Sequence, residues 1–173
     1  MIFWDNFFKN KEKSYLFSDT KNVKENILAI QHLENQDIYF SLSNNINLYD
    51  LEKLCDSVGW VRRPLTKVQI AIDNSFLTIC VFSYYKKSQQ LIGFARATSD
   101  YSFNATIWDV AIHPNFQKKG LGKTLMNQVV QQLRKHDIST ITLFADPHVV
   151  SFYKNLGFIS DPDGIKGMFW YPL

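Results

Sequence analysis

The sequence predicts one α/β (α+β) domain of 173 residues, a central mixed sheet flanked by about four helices. Three observations carry this prediction. Residues 76–85, 91–98 and 104–113 are three consecutive β-branched and aromatic runs, joined by a hairpin at 86–90 and a turn near 99–102. The last run feeds a basic loop with two glycines, and the loop feeds a helix in which Leu121, Leu125, Val129 and Leu133 recur, with Met126 and Val130 widening the same face. A second apolar strand, 138–145, then leads through Asp146-Pro147 into a short helix that closes at Gly157.

Taken in order, residues 1–8 read Met-Ile-Phe-Trp-Asp-Asn-Phe-Phe. They are too few for a signal peptide or a membrane span, and are expected to pack on the domain or a partner and not on a membrane. Residues 9–26 are polar and lysine-rich and read as a connector, so 1–36 is an N-terminal extension, partly mobile, and 37–173 is the folded domain. Residues 37–43 alternate and read as the first strand. Asn47 caps a helix with an apolar face of Leu48, Leu51, Leu54, Cys55 and Val58, stopped by Gly59. Trp60-Val-Arg-Arg-Pro64 is a loop, and Thr66 is expected to cap a second helix to about Asn74. Residues 160–164 form a turn, because Asp161-Pro-Asp-Gly164 lacks the remaining ligands of a calcium loop. Residues 165–171 are expected as the final strand.

A net charge of +3 is too small for a general nucleic-acid surface but fits local phosphate contact, so no nucleic-acid partner is expected. Cys55 and Cys80 lack metal-type spacing; Cys80 reads as a buried small hydrophobe, and no metal is expected. The 15 lysines against 4 arginines fit an AT-rich, organelle-encoded gene.

The chemistry centres on His113-Pro-Asn-Phe-Gln-Lys-Lys-Gly-Leu-Gly-Lys123. A glycine loop opening a helix binds anions through free N–H groups and the positive end of the helix dipole. The hydrolase P-loop needs a glycine where Gln117 stands, and the dinucleotide fingerprint needs one where Leu125 stands. The spacing that fits is Val110-Ala-Ile-His-Pro114 followed by Gln117-Lys-Lys-Gly120-Leu-Gly122. This resembles the pyrophosphate loop of the GNAT acyl-CoA N-acetyltransferases. Tyr153-Lys-Asn-Leu-Gly-Phe158 is similar to the second hallmark of that family. From Asn104 onward the chain is also similar to the plastid serotonin (arylalkylamine) N-acetyltransferases, their cyanobacterial relatives and a plastid-encoded algal acetyltransferase.

That resemblance implies a GNAT fold with splayed central strands and acetyl-CoA as cosubstrate. It implies that the pantetheine arm lies beside Val110, Ala111 and Ile112. The pyrophosphate falls on Gln117, Lys118, Lys119, Gly120, Leu121, Gly122 and Lys123, with Asn155 also on the cofactor. It makes Tyr153 the general acid on sulfur. Asp146 is the preferred base and Asp109 the other; the plain alternatives are a core tyrosine, a helix N-cap and a structural carboxylate bonded to Trp108 or the backbone. Trp60, Trp108 and Phe144 are candidates for the acceptor side, each equally readable as core.

No cysteine–histidine pair stands in a recognisable motif, so direct transfer in a ternary complex is expected. The acceptor implied is an arylalkylamine such as serotonin; a protein lysine or N-terminal amine is the alternative. A non-catalytic acyl-CoA-binding module is the alternative of another class. A homodimer is compatible with all of these. The expected location is the plastid (chloroplast) stroma, by synthesis in the organelle, or the cytoplasm of a prokaryote.

Overall fold

The computed structural model describes residues 26–33, 36–85 and 88–171. The expectations for residues 1–25, and for the tip of the 86–90 hairpin, lie outside these. Six strands form one sheet: β1 (Ile27–Leu33), β2 (Gln36–Leu42), β3 (Leu77–Tyr85), β4 (Ser88–Ser99), β5 (Asn104–Ile112) and β6 (Thr140–Leu143). They lie in chain order, antiparallel from β1 to β5, while β6 runs parallel to β5. Among the described residues four α-helices accompany them: α1 (Leu48–Ser57), α2 (Leu65–Asp73), α3 (Leu121–Lys135) and α4 (Val150–Lys154).

The sheet is covered on both faces, and this explains the apolar runs. In β3, Ile79 and Val81 pack with Leu121, Leu125, Val129 and Leu133 of α3. The intervening Cys80 packs with Leu51 and Leu54 of α1 and Ile72 of α2. Leu77–Val81 is therefore buried without a break, as alternation with two covered faces requires. Burial holds the Cys80 thiol well above its ordinary range.

The sheet carries one irregularity that bears on function. Phe94 pairs with Ala111 and Arg96 with Trp108, so one residue of β4 faces two of β5. The extra residue is Asp109, at φ 54°. This β-bulge shifts the phase of β5 by one. Ala105 and Ile107 before it face α3, and so do Val110 and Ile112 after it.

Four expectations are corrected. Residues 27–33 belong to the sheet as edge strand β1, so the folded domain begins before residue 37. Their apolar residues follow no clean period, because an edge strand is held chiefly by its main-chain ladder. Helix α2 starts at Leu65 after Pro64, which pre-sets the backbone, and the Thr66 side chain makes no cap. The strand expected at 138–145 is only Thr140–Leu143. Residues 165–171 form no strand. Met168-Phe-Trp-Tyr171 lacks the polar–apolar alternation that would specify a register, and Met168 and Trp170 are 95% and 85% exposed.

Candidate active site

The loop between β5 and α3 is locked by its own side chains. His113 N–H donates to Ile92 O at 2.8 Å, and Gln117 Nε2 donates to Ile112 O at 2.9 Å. A 3-10 turn over Pro114–Phe116 follows, in which the His113 ring accepts from Asn115 N–H at 3.3 Å. Lys118 (φ 60°) and Gly120 (φ 82°) then turn the chain into α3 through left-handed conformations. Gly120 is the helix N-cap and brings no side chain to cap it. Among the described residues, the backbone N–H groups of Lys118 and of 120–123 have no acceptor. Lys119 lies over the Phe116 ring at 5.7 Å. Such a cluster of unsatisfied donors at a helix start suits a multiply charged anion.

From this loop a gap runs between two strands. The β5–β6 ladder pairs Asn104 with Thr140 through Ile107 with Leu143 and ends there. Among the described residues, Val110, Ala111 and Ile112 therefore lie on a length of β5 with no strand on that side. The splay follows from the bulge at Asp109 on one strand and the early end of β6 on the other.

Residues 146–158 stand beyond the short strand. Asp146 is exposed and precedes a 3-10 turn over Pro147–Val149, yet its carboxylate accepts no capping bond. Tyr153 lies on α4, half-buried between Phe152 at 5.0 Å and Phe158 at 6.0 Å between ring centres. Burial raises its phenol above the ordinary range, and the nearby charge of Asp146 adds to the rise. Asn155 is exposed at the C-cap of α4. Gly157 (φ 92°) ends the turn as expected. At Gly122 a Cβ atom would stand 3.5 Å from the Phe152 ring, so that ring lies close to the first turn of α3.

The three acceptor-side aromatics separate into two places. Trp108 and Phe144 meet at 5.5 Å beside the gap, and Phe169 joins Phe144 at 5.1 Å. Trp108 Nε1 donates to Thr98 Oγ1 at 2.9 Å, which fixes the indole. Trp60 instead packs with the α1–α2 cluster, with the Arg63 guanidinium 5.9 Å from its ring.

Asp109 is held by arginines. Its Oδ2 accepts from Arg96 Nε at 2.5 Å and its Oδ1 from Arg63 Nη2 at 3.1 Å. The side chain is only 18% exposed, so both oxygens are committed. Asp109 is thus an ion-paired carboxylate whose partners are neither Trp108 nor the backbone but two arginines. Arg62, on the same loop as Arg63, pairs with Asp56 of α1. These charges and Leu51, Val68 and Phe94 line a groove between the two N-terminal helices and the sheet.

Two contributors were invisible in the sequence. Arg96 looks like one polar residue in a strand, with no local sign that a bulge turns Asp109 toward it. Gln31, on β1, reaches the anion loop across the covered face, 88 residues away. No spacing rule could have found it.

Residues 45–158 match the acetyltransferase (GNAT) family. The chain is 60% identical to "Uncharacterized N-acetyltransferase ycf52" of Gracilaria tenuistipitata var. liui, with 100% of both chains covered. It is 42% identical to "GCN5-related N-acetyltransferase 2, chloroplastic" of Arabidopsis thaliana, over 98% of this chain and 80% of that one. The crystal structure of a probable acetyltransferase from Staphylococcus aureus superposes with a TM-score of 0.66, covering 78% of this chain and 99% of the other. At 19% identity that likeness bears on the fold alone. The chain belongs to the GNAT family of acetyltransferases, whose cosubstrate is acetyl-CoA, and it has the fold that the resemblance implied.

Proposed function

We propose that the protein transfers acetyl from acetyl-CoA directly to a primary amine, and that the amine is an arylalkylamine such as serotonin. The observation that carries this is the alignment of three things along one gap. Lysines and unsatisfied N–H donors stand at the start of α3, a length of β5 beyond the last β6 pair follows, and we assign Tyr153 and Asp146 to the thioester end of that gap. On this reading residues 117–123 take the pyrophosphate, and the pantetheine arm lies along Val110, Ala111 and Ile112. A β5 backbone N–H polarises the thioester carbonyl, an effect of about 3 kcal/mol in comparable sites.

The amine nitrogen attacks the carbonyl carbon, forming C–N as C–S breaks. An alkylammonium has a pKa near ~10, so the amine must first be stripped of a proton. Asp146, whose oxygens are not spent on a cap, takes that proton through water. Tyr153 gives its phenolic proton to the departing thiolate. Asp109 is left out of proton transfer because both its oxygens hold guanidinium groups. Trp108 and Phe144 offer a flat apolar seat beside the gap for an aryl ring.

The location we infer is the plastid. Its support is the chloroplastic relative and the lysine-rich, arginine-poor composition. Among the described residues no helix is long and apolar enough to cross a membrane.

The test is calorimetric titration with acetyl-CoA, followed by thiol release over serotonin, tryptamine, polyamines and lysine peptides. Turnover fastest on the indole amines supports the reading. Turnover only on peptides replaces the acceptor with a protein amine. Binding with no turnover on any amine leaves an acyl-CoA-binding module, and ping-pong kinetics would end the direct-transfer mechanism.

A further inference from the structure

We propose that Gln31 is a positioning residue for the cofactor's diphosphate, acting through the peptide that opens α3. The inference rests on the reading of residues 117–123 given above. Gln31 Nε2 donates to Lys119 O at 3.0 Å, and Gln31 Oε1 accepts from Thr124 Oγ1 at 3.1 Å. A carbonyl oxygen can only accept, so the amide nitrogen must face Lys119 and the amide oxygen must face Thr124. One side chain thereby ties together residues on both sides of the helix start.

The consequence follows from peptide geometry. The Lys119 carbonyl and the Gly120 N–H belong to one planar trans unit and point in opposite directions. Fixing the carbonyl toward Gln31 therefore aims the Gly120 N–H away from Gln31 and the sheet edge. The amide also lies against Gly120, 3.8 Å from where a Cβ would sit. Gly120 is left-handed and carries no capping side chain; its own carbonyl is held from inside α3 by Thr124 N–H at 3.1 Å, while the Lys119 carbonyl on its other side is held by Gln31. An anion site whose donors are aimed in advance loses less conformational freedom on binding. The edge strand outside the expected domain boundary thus contributes to the site without touching the ligand.

The experiment compares acetyl-CoA with S-acetylpantetheine, which lacks the diphosphate and nucleotide, on the full chain and its variants. For Gln31→Leu we expect the ratio of kcat/KM for acetyl-CoA to that for S-acetylpantetheine to fall about tenfold, through KM and not kcat. Gln31→Glu can still accept from Thr124 but cannot donate to Lys119, and should lose as much. Thr124→Val should lose less, and adding it to Gln31→Leu should cost only what the second contact of that hydroxyl, to Gly120 O at 3.4 Å, contributes. Equal losses on the two cosubstrates, or an unchanged Kd for acetyl-CoA with a folded variant, overturn the role of Gln31. Wild-type protein that binds no acetyl-CoA overturns the reading of the loop itself, and the proposal with it.

Discussion

On the cofactor side of the cleft, Lys118 and residues 120–123 present N–H groups without acceptors, and Lys118, Lys119 and Lys123 have no ion-pair partner among the described residues. Between α1, α2 and β5 the arginines are already matched: Arg62 holds Asp56, while Arg63 and Arg96 hold Asp109. The first region is incomplete until an anion arrives. The second is complete by itself and stiffens the bulge that opens the gap. Polar residues near an active site therefore fall into two kinds, and hydrogen-bond completeness tells them apart better than residue type does.

The sharpest way to break this division is at the carboxylates and the phenol. Tyr153→Phe should lower kcat about 100-fold while changing KM for acetyl-CoA little, the scale of one lost general acid. An unchanged kcat in steady-state assays removes the phenol from the chemistry. Asp109→Asn leaves two arginines facing a neutral group, and should lower stability by about 2 kcal/mol in chemical denaturation. The folded fraction should keep most of its kcat. A loss as large as that of Tyr153→Phe would return Asp109 to proton transfer.

Smaller effects sharpen the cofactor side. Gly120→Val forces a β-branched residue into a left-handed conformation, a strain of about 1–2 kcal/mol. Acetyl-CoA affinity should fall about tenfold by calorimetry, more than for a valine at exposed Gly157 (φ 92°), where the same strain lies outside the anion loop.

The smallest effect is on pH. Burial keeps the Cys80 thiol protonated in the fold, whereas in the unfolded chain it ionises from its ordinary value of 9.0. The folded pKa is the higher one, so the thiol's contribution is full below pH 9 and is lost as pH rises above it, at up to about 1.4 kcal/mol per pH unit. Cys80→Ala should flatten this alkaline decline in denaturation midpoints between pH 8 and 10. Tyr153, raised above 10.0 by burial and by Asp146, should give no decline in kcat/KM below pH 10.

What was legible in the sequence was whatever the chain encodes over short distances. The loop's glycines, the α3 stripe, the Asn47 cap and the Tyr153 motif each lie within one turn or one helix. The Asn47 side chain does accept from Tyr49 and Asp50 N–H, as its position before Leu48 predicts. The ties of Asp109 and Gln31 were not legible, because Arg63 is 46 residues from Asp109 and Lys119 is 88 residues from Gln31. Residues 165–171 were over-read for the opposite reason. Their β-prone residues show strand propensity, but pairing needs a neighbour and a register, and local composition specifies neither.

The contact between Gly122 and Phe152 has a metrological consequence. It brings the Phe152 ring of the helix that carries Tyr153 to the first turn of the helix that opens at the anion loop. The span from the first N–H groups of α3 to the phenol is then a fixed gauge, set before any ligand enters. On the proposed reading, the enzyme accepts a thioester according to the length of arm between its diphosphate and its sulfur. Cofactor analogues with the arm one methylene shorter or longer should bind at the phosphate end and still react slowly, because the gauge does not stretch to meet them.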